Sequence, residues 1–144
     1  MAPDSLCGIS IESGLLDDFL PGGDSLKVAK SSPNGGTERC DVLVDKDLTV
    51  RFTNAWWGDG DDAHHVAAAY AKMENGKLTQ DERYVYSGRG AVGKTDKNCK
   101  SPEHPDQDLY AIVQVFTADH SDSDAMKQLI TTYTSAVNHS AECK

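Results

Sequence analysis

Ile11, Leu15, Leu16 and Phe19 recur at helical spacing after Ser10, and Pro21-Gly22-Gly23 supplies a stop, so the pattern predicts a short first helix over 11–20. Leu26 and Val28 alternate with Lys27 and Ala29 ahead of the breaker run Ser31-Ser32-Pro33-Asn34-Gly35-Gly36, which predicts a strand and then a loop. Cys40, Val42 and Val44 share one parity, Asp45-Lys46-Asp47 turns the chain, and Leu48, Val50 and Phe52 share the next parity. This is a β-hairpin with one buried face. Asp61 and Asp62 precede Val66, Ala69, Tyr70 and Met73, whose spacing predicts a helix over 62–73. Asn75-Gly76 offers a rival, a hairpin turning into Tyr84-Val85-Tyr86. A strand follows over 83–87, then a polar, proline-bearing loop over 94–108. The run 109–117 is apolar on both parities and suits a central strand covered on both faces. Asp119, Ser121, Asp122 and Ser123 offer caps for a last helix whose Ala125, Met126, Leu129, Ile130, Tyr133 and Val137 form one stripe. The order predicts one α+β domain spanning 1–144, a mainly antiparallel sheet with helices packed on it.

The chain has 144 residues with 23 acids and 14 Lys or Arg, a formal charge of −9. An acidic balance of this size argues against a nucleic-acid surface or a polybasic membrane anchor. The longest apolar stretch, Ala111-Ile112-Val113-Gln114-Val115-Phe116, falls far short of the roughly 20 residues that a spanning helix needs. Base-rich and acid-only stretches adjoin, the latter over 101–126, and such blocks are ordinarily solvated faces.

Cys7, Cys40, Cys99 and Cys143 contain no C-x-x-C pair, which disfavours zinc and favours two disulfides. Among three connectivities Cys7–Cys40 with Cys99–Cys143 is favoured, because each bridge ties a flanking element to the nearest strand or loop. Disulfides imply an oxidising, extracytoplasmic compartment. No basic-then-apolar leader opens the chain, so Met1-Ala2-Pro3 is expected to be a processed or truncated start.

Gly88-Arg89-Gly90-Ala91-Val92-Gly93-Lys94-Thr95 satisfies G-x-x-x-x-G-K-[ST] and, within it, G-x-G-x-x-G. Both motifs hold phosphate only at the start of a helix, and the two prolines and absent periodicity that follow predict none. A glycine-rich strand connection is expected, and no cofactor is implied. Asp59, Asp61, Asp62, His64 and His65 cluster as metal candidates, but adjacent histidines point about 100° apart on a helix and the acids lack calcium-loop spacing. A capped helix start is the favoured explanation, because Asp61 or Asp62 near exposed N–H groups needs no ligand. Strand parity places Trp56 on the core face and Trp57 on the outer face, where an exposed Trp57 is the candidate partner contact. No G-x-S-x-G elbow is present, and His104, His120 and His139 read as surface residues. Asn138-His139-Ser140 is formally a glycosylation sequon.

In the placement of Cys7, Cys40, Cys99 and Cys143, and in the segment Tyr84-Val85-Tyr86-Ser87-Gly88-Arg89-Gly90-Ala91-Val92-Gly93, the chain resembles actinobacterial secreted, lipoprotein-like extracytoplasmic domains of unknown function. The resemblance implies an exported α+β domain, held at the membrane by a lipidated cysteine upstream of this sequence, and assigns no catalytic residues. The expected function is a non-catalytic binding or interaction module whose partner is a protein or small ligand at the cell surface. The alternative is a small metal-dependent enzyme or metal-binding protein using Asp59, Asp61, Asp62, His64 and His65.

Overall fold

The computed structural model describes residues 5–58, 60–70, 72–73, 76–96, 98–117, 120–140 and 143. β1 (Ser5–Leu6) and β2 (Ile9–Ser10) form a small hairpin, followed by 3-10 turns at Ser13–Leu15 and Asp17–Phe19. The first helix is therefore not α-helical. Its bonds run three residues back, from Leu15 N to Glu12 O and from Phe19 N to Leu16 O, yet Ile11, Leu16 and Phe19 are buried as their spacing implied. Burial of the apolar positions decides this segment, and Gly14 weakens the helical alternative.

β3 (Leu26–Asn34), β4 (Thr37–Val44), β5 (Asp47–Gly58), β6 (Lys77–Leu78), β7 (Tyr84–Tyr86), β8 (Gly90–Lys94) and β9 (Gln107–Val115) form one sheet in the order β3-β4-β5-β9-β8-β7-β6. Every neighbouring pair is antiparallel. The breaker run belongs largely to β3, and only Gly35 and Gly36 turn the chain. Pairing with β4 overrides local turn chemistry there, and an edge strand with an irregular register tolerates Pro33. The β4–β5 turn puts Asp45 at φ 50° and Lys46 at φ 73°, the left-handed pair that a two-residue hairpin demands. Its cost is offset by Asp45 Oδ1, which accepts from the backbone N–H groups of Asp24 and Ser25.

One register detail departs from simple alternation. Val42 pairs with Val50 but Leu43 pairs with Leu48, so a bulge at Thr49 moves Leu48 to the opposite face from Val50 and Phe52. Thr49 Oγ1 fills the irregularity by donating to Val42 O at 2.7 Å.

α2 (Ser123–Asn138) starts at Asp122, whose carboxylate accepts from Ala125 N at 3.0 Å. It packs Met126, Leu129, Ile130, Tyr133 and Val137 on the face carrying Val42, Val50, Phe52, Leu109 and Val113. The other face is covered at one end by α1 (Ala63–Ala67), through Val66 and Ala67 packed with Val85, Val92, Tyr110 and Ile112. β9 lies between these layers with Asp108 to Val115 all buried, as its double-parity pattern required. α1 is much shorter than the sequence suggests. Tyr70 and Met73 still pack against this second cluster, but Lys72 adopts φ 76° and its carbonyl accepts from Ser87 Oγ at 2.8 Å, which a continuing helix could not allow. A hairpin does join β6 to β7, but it turns over 79–83 rather than at Asn75-Gly76, and Asn75 lies outside the described residues. Disulfides join Cys7 to Cys40 and Cys99 to Cys143.

Candidate functional site

The acidic and histidine segment ahead of α1 is occupied by its own fold. Asp62 caps α1 by accepting from His65 N at 2.7 Å, and Asp61 Oδ1 lies 2.8 Å from His65 Nδ1. The Asp61 carbonyl accepts from Tyr110 Oη at 2.7 Å and from Lys94 Nζ at 3.4 Å. His64 points to a separate hollow beside Tyr70 and Met73, and Asp59 lies outside the described residues. Among the described residues, no group of three or more His, Cys, Asp or Glu comes together as a metal would require.

The phosphate-loop string runs through a turn at Gly88-Arg89 into β8, and loop 95–106 follows it. Its glycines answer to packing. A Cβ at Gly90 would stand 2.5 Å from the Lys72 carbonyl oxygen, while Cβ atoms at Gly88 and Gly93 would collide with Ser121 Oγ and Thr134 Oγ1. Lys94 reaches toward Asp108, 3.6 Å away, which Lys100 also contacts at 3.1 Å.

Parity holds without interruption from Val50 to Gly58 along β9, so Trp57 does face outward. It is nevertheless not the exposed aromatic that was expected. The α1 side covers that end of the sheet, and Trp57 is half-buried against His65 and Tyr70, with ring centroids 6.3 and 6.5 Å away. Burial raises the Tyr70 hydroxyl above the usual phenol range, opposed by the Trp57 indole that hydrogen-bonds to it. Asn138 is equally committed: its amide donates to Asp96 Oδ2 at 2.9 Å and accepts from Asp96 N at 3.0 Å, so the sequon nitrogen is engaged.

The other aromatic leads to the candidate site. A groove of about 360 Å³ opens between the β3–β4 hairpin tip and the loop entering β9, lined by Gly35, Gly36, Thr37, Glu38, Asn54, Trp56 and residues 101–104. Trp56 forms its aromatic wall with His104, the rings 5.0 Å apart and 10° from parallel. His104 is oriented by Gln107, whose Oε1 lies 2.8 Å from Nδ1, and by its own backbone N–H to Ser101 O. Trp56 N donates to Gly36 O at 2.9 Å, tying the hairpin tip to the same wall. Asn54, which lines the groove, is fixed by its Oδ1 accepting from the buried Tyr133 hydroxyl at 2.9 Å.

Both crosslinks brace this groove. Cys40 lies two positions beyond Glu38 on β4, and Cys99 two positions before Ser101 in the opposing loop. The Asp96–Asn138 contact fastens that loop to α2 a second time. The chemistry on offer is two carboxylates, Glu38 and Glu103, a side-chain amide, hydroxyls of Thr37 and Ser101, and a stacked aromatic pair. Glu38 shares its charge with Lys30 only at 3.7 Å. Periodicity marked Trp56 as core and His104 as surface, and the groove exists only because β-pairing and a disulfide bring residues 35–38, 54–56 and 101–104 together. Comparison with known protein families, curated proteins and solved structures finds no match for this chain.

Proposed function

We propose that this chain is an extracytoplasmic, non-catalytic binding module that takes a short saccharide, neutral or amino-bearing, in the groove walled by Trp56 and His104. The observation that carries the proposal is the groove itself, with aromatic and hydrogen-bonding walls held by two disulfides. Sugars present axial C–H bonds to aromatic rings and hydroxyls to carboxylates and amides. Glu38, Glu103 and Asn54 supply such partners, and the carboxylates also accept an ammonium. The volume falls within the range of small-molecule pockets, and bracing before binding reduces the ordering entropy that a ligand must overcome.

Two disulfides support an oxidising compartment, and the proposal of an exported, actinobacterial lipoprotein-like domain with an upstream lipid anchor rests on cysteine placement and the glycine-rich segment 84–93. A glycan array probed with the wild-type chain and with Glu103→Gln and His104→Ala tests this reading. The wild type should retain a small set of short saccharides, both variants should lose them, and the bound sugar should be recovered intact. No retained saccharide, or retention indifferent to both substitutions, would overturn it.

A further inference from the structure

We infer that the half of the outer sheet face left open by α1 docks an acidic protein segment, with Arg39 as its anchor. α1 packs on β7 and β8 and reaches the outward Ala55 and Trp57 at the far end of β5, so the outward positions of β3, β4 and the first half of β5 carry no helix. Outward parity there gives Lys27, Arg39 and Arg51 against Asp41, with Lys72 reaching in from the segment after α1. Among the described residues, four cations facing one carboxylate is a local reversal in a chain of formal charge −9. Asp41 is already taken, holding Arg51 through contacts of 2.8 and 3.2 Å.

Arg39 is different. Among the described residues its guanidinium has no ion-pair partner, and its buried Nε has no hydrogen-bond partner. Thr53, 1% exposed and directly opposite Arg39 in the β4–β5 register, likewise holds a buried Oγ1 with no partner. Opposed residues on one sheet face have Cβ atoms about 5 Å apart, so two unmet polar groups adjoin at one place. A buried donor without an acceptor is costly, and a fork-shaped cation is matched by a carboxylate. Ala29, Leu43 and Phe116, all half-buried, surround these charges with apolar surface. That mixture suits a peptide carrying both acidic and apolar side chains. A polyanion is disfavoured, because among the described residues only four cations are grouped here and the net charge of −9 repels it.

Panning displayed random short peptides against the immobilised, oxidised chain tests the inference. Enriched peptides should combine Asp or Glu with apolar residues, bind less well in high salt, and weaken on the order of tenfold on Arg39→Gln. Glu103→Gln in the groove should leave that binding unchanged, which separates this surface from the saccharide site. Should Arg39→Gln fail to fold, Lys72→Gln carries the test with a loss of about threefold, the size expected for an exposed charge pair. Peptides enriched without acidic residues, no enrichment at all, binding indifferent to the substitution made, or equal binding to heparin and anionic lipid vesicles would each overturn it.

Discussion

Replacing Cys99 and Cys143 together by alanine removes a crosslink between residues 44 apart. Freeing a span of that length gives the unfolded chain about 4 kcal/mol of loop entropy at room temperature. The folded state loses less. Cys99 is 2% exposed, so alanine leaves a small void but no stranded hydroxyl, and Cys99 N still donates to Asp96 O while Asp96 stays fastened to Asn138. The double variant should therefore fold, with a loss on the order of 2–4 kcal/mol and a midpoint about 5–15 °C lower for a domain of this size. Urea titration measures the loss directly. The slope of stability against denaturant should rise as well, because the released unfolded chain expands and exposes more surface. A wild-type midpoint with an unchanged slope would mean that the crosslink restricts nothing in the unfolded chain, and it would refute the bracing of loop 95–106.

Gly90→Ala should cost about 1–3 kcal/mol in the same titration, since its Cβ meets the Lys72 carbonyl at 2.5 Å, a backbone atom that cannot rotate away. Tyr133→Phe should cost about 1–3 kcal/mol by leaving buried Asn54 Oδ1 without its donor, and should weaken saccharide retention because the Asn54 amide is then free to turn. Burial, then the Asp108, Asp61 and Asp62 charges, raise the Tyr110 phenol above its ordinary range. With the folded value raised, stability is intact below pH about 10 and falls as pH climbs beyond it. Tyr110→Phe should flatten that alkaline limb while losing about 1 kcal/mol at neutral pH through its bond to Asp61 O, as alkaline melting curves would show.

Much of the scaffold was legible where burial and spacing act together. β9 reads as central because both parities are apolar, and α2 reads from its stripe and its Asp122 cap. The pairing of the four cysteines followed from tying each end to the nearest element. Segment 11–20 kept its buried residues but forms 3-10 turns, and segment 62–73 kept Val66, Tyr70 and Met73 in a core cluster but is α-helical only over Ala63–Ala67, with Ala69 exposed. Periodicity reports which side chains are covered, whereas Gly14 and the capture of the Lys72 carbonyl by Ser87 decide the backbone. The glycine string shows the same limit from the other side: its spacing matches a phosphate loop, but its cause is the approach of Ser121, Lys72 and Thr134. Trp57 kept its parity and lost its exposure, because alternation fixes a face and not what covers it. The groove was illegible for a related reason. Glu38, Trp56 and His104 share no local pattern, and only sheet register and the Cys99–Cys143 bridge bring them together.

Chemical-shift mapping of the isotope-labelled chain, titrated with the saccharide that the array retains most strongly, measures binding at the groove directly. Saturable shifts should concentrate at the Trp56 indole and at the amides of Gly36, Thr37, Glu38, Ser101 and His104, with Arg39 and Lys72 on the opposite face unmoved. Shifts centred on the outer face or on the start of α1, or no saturable shift with any saccharide, would contradict the assignment of this groove as the binding site.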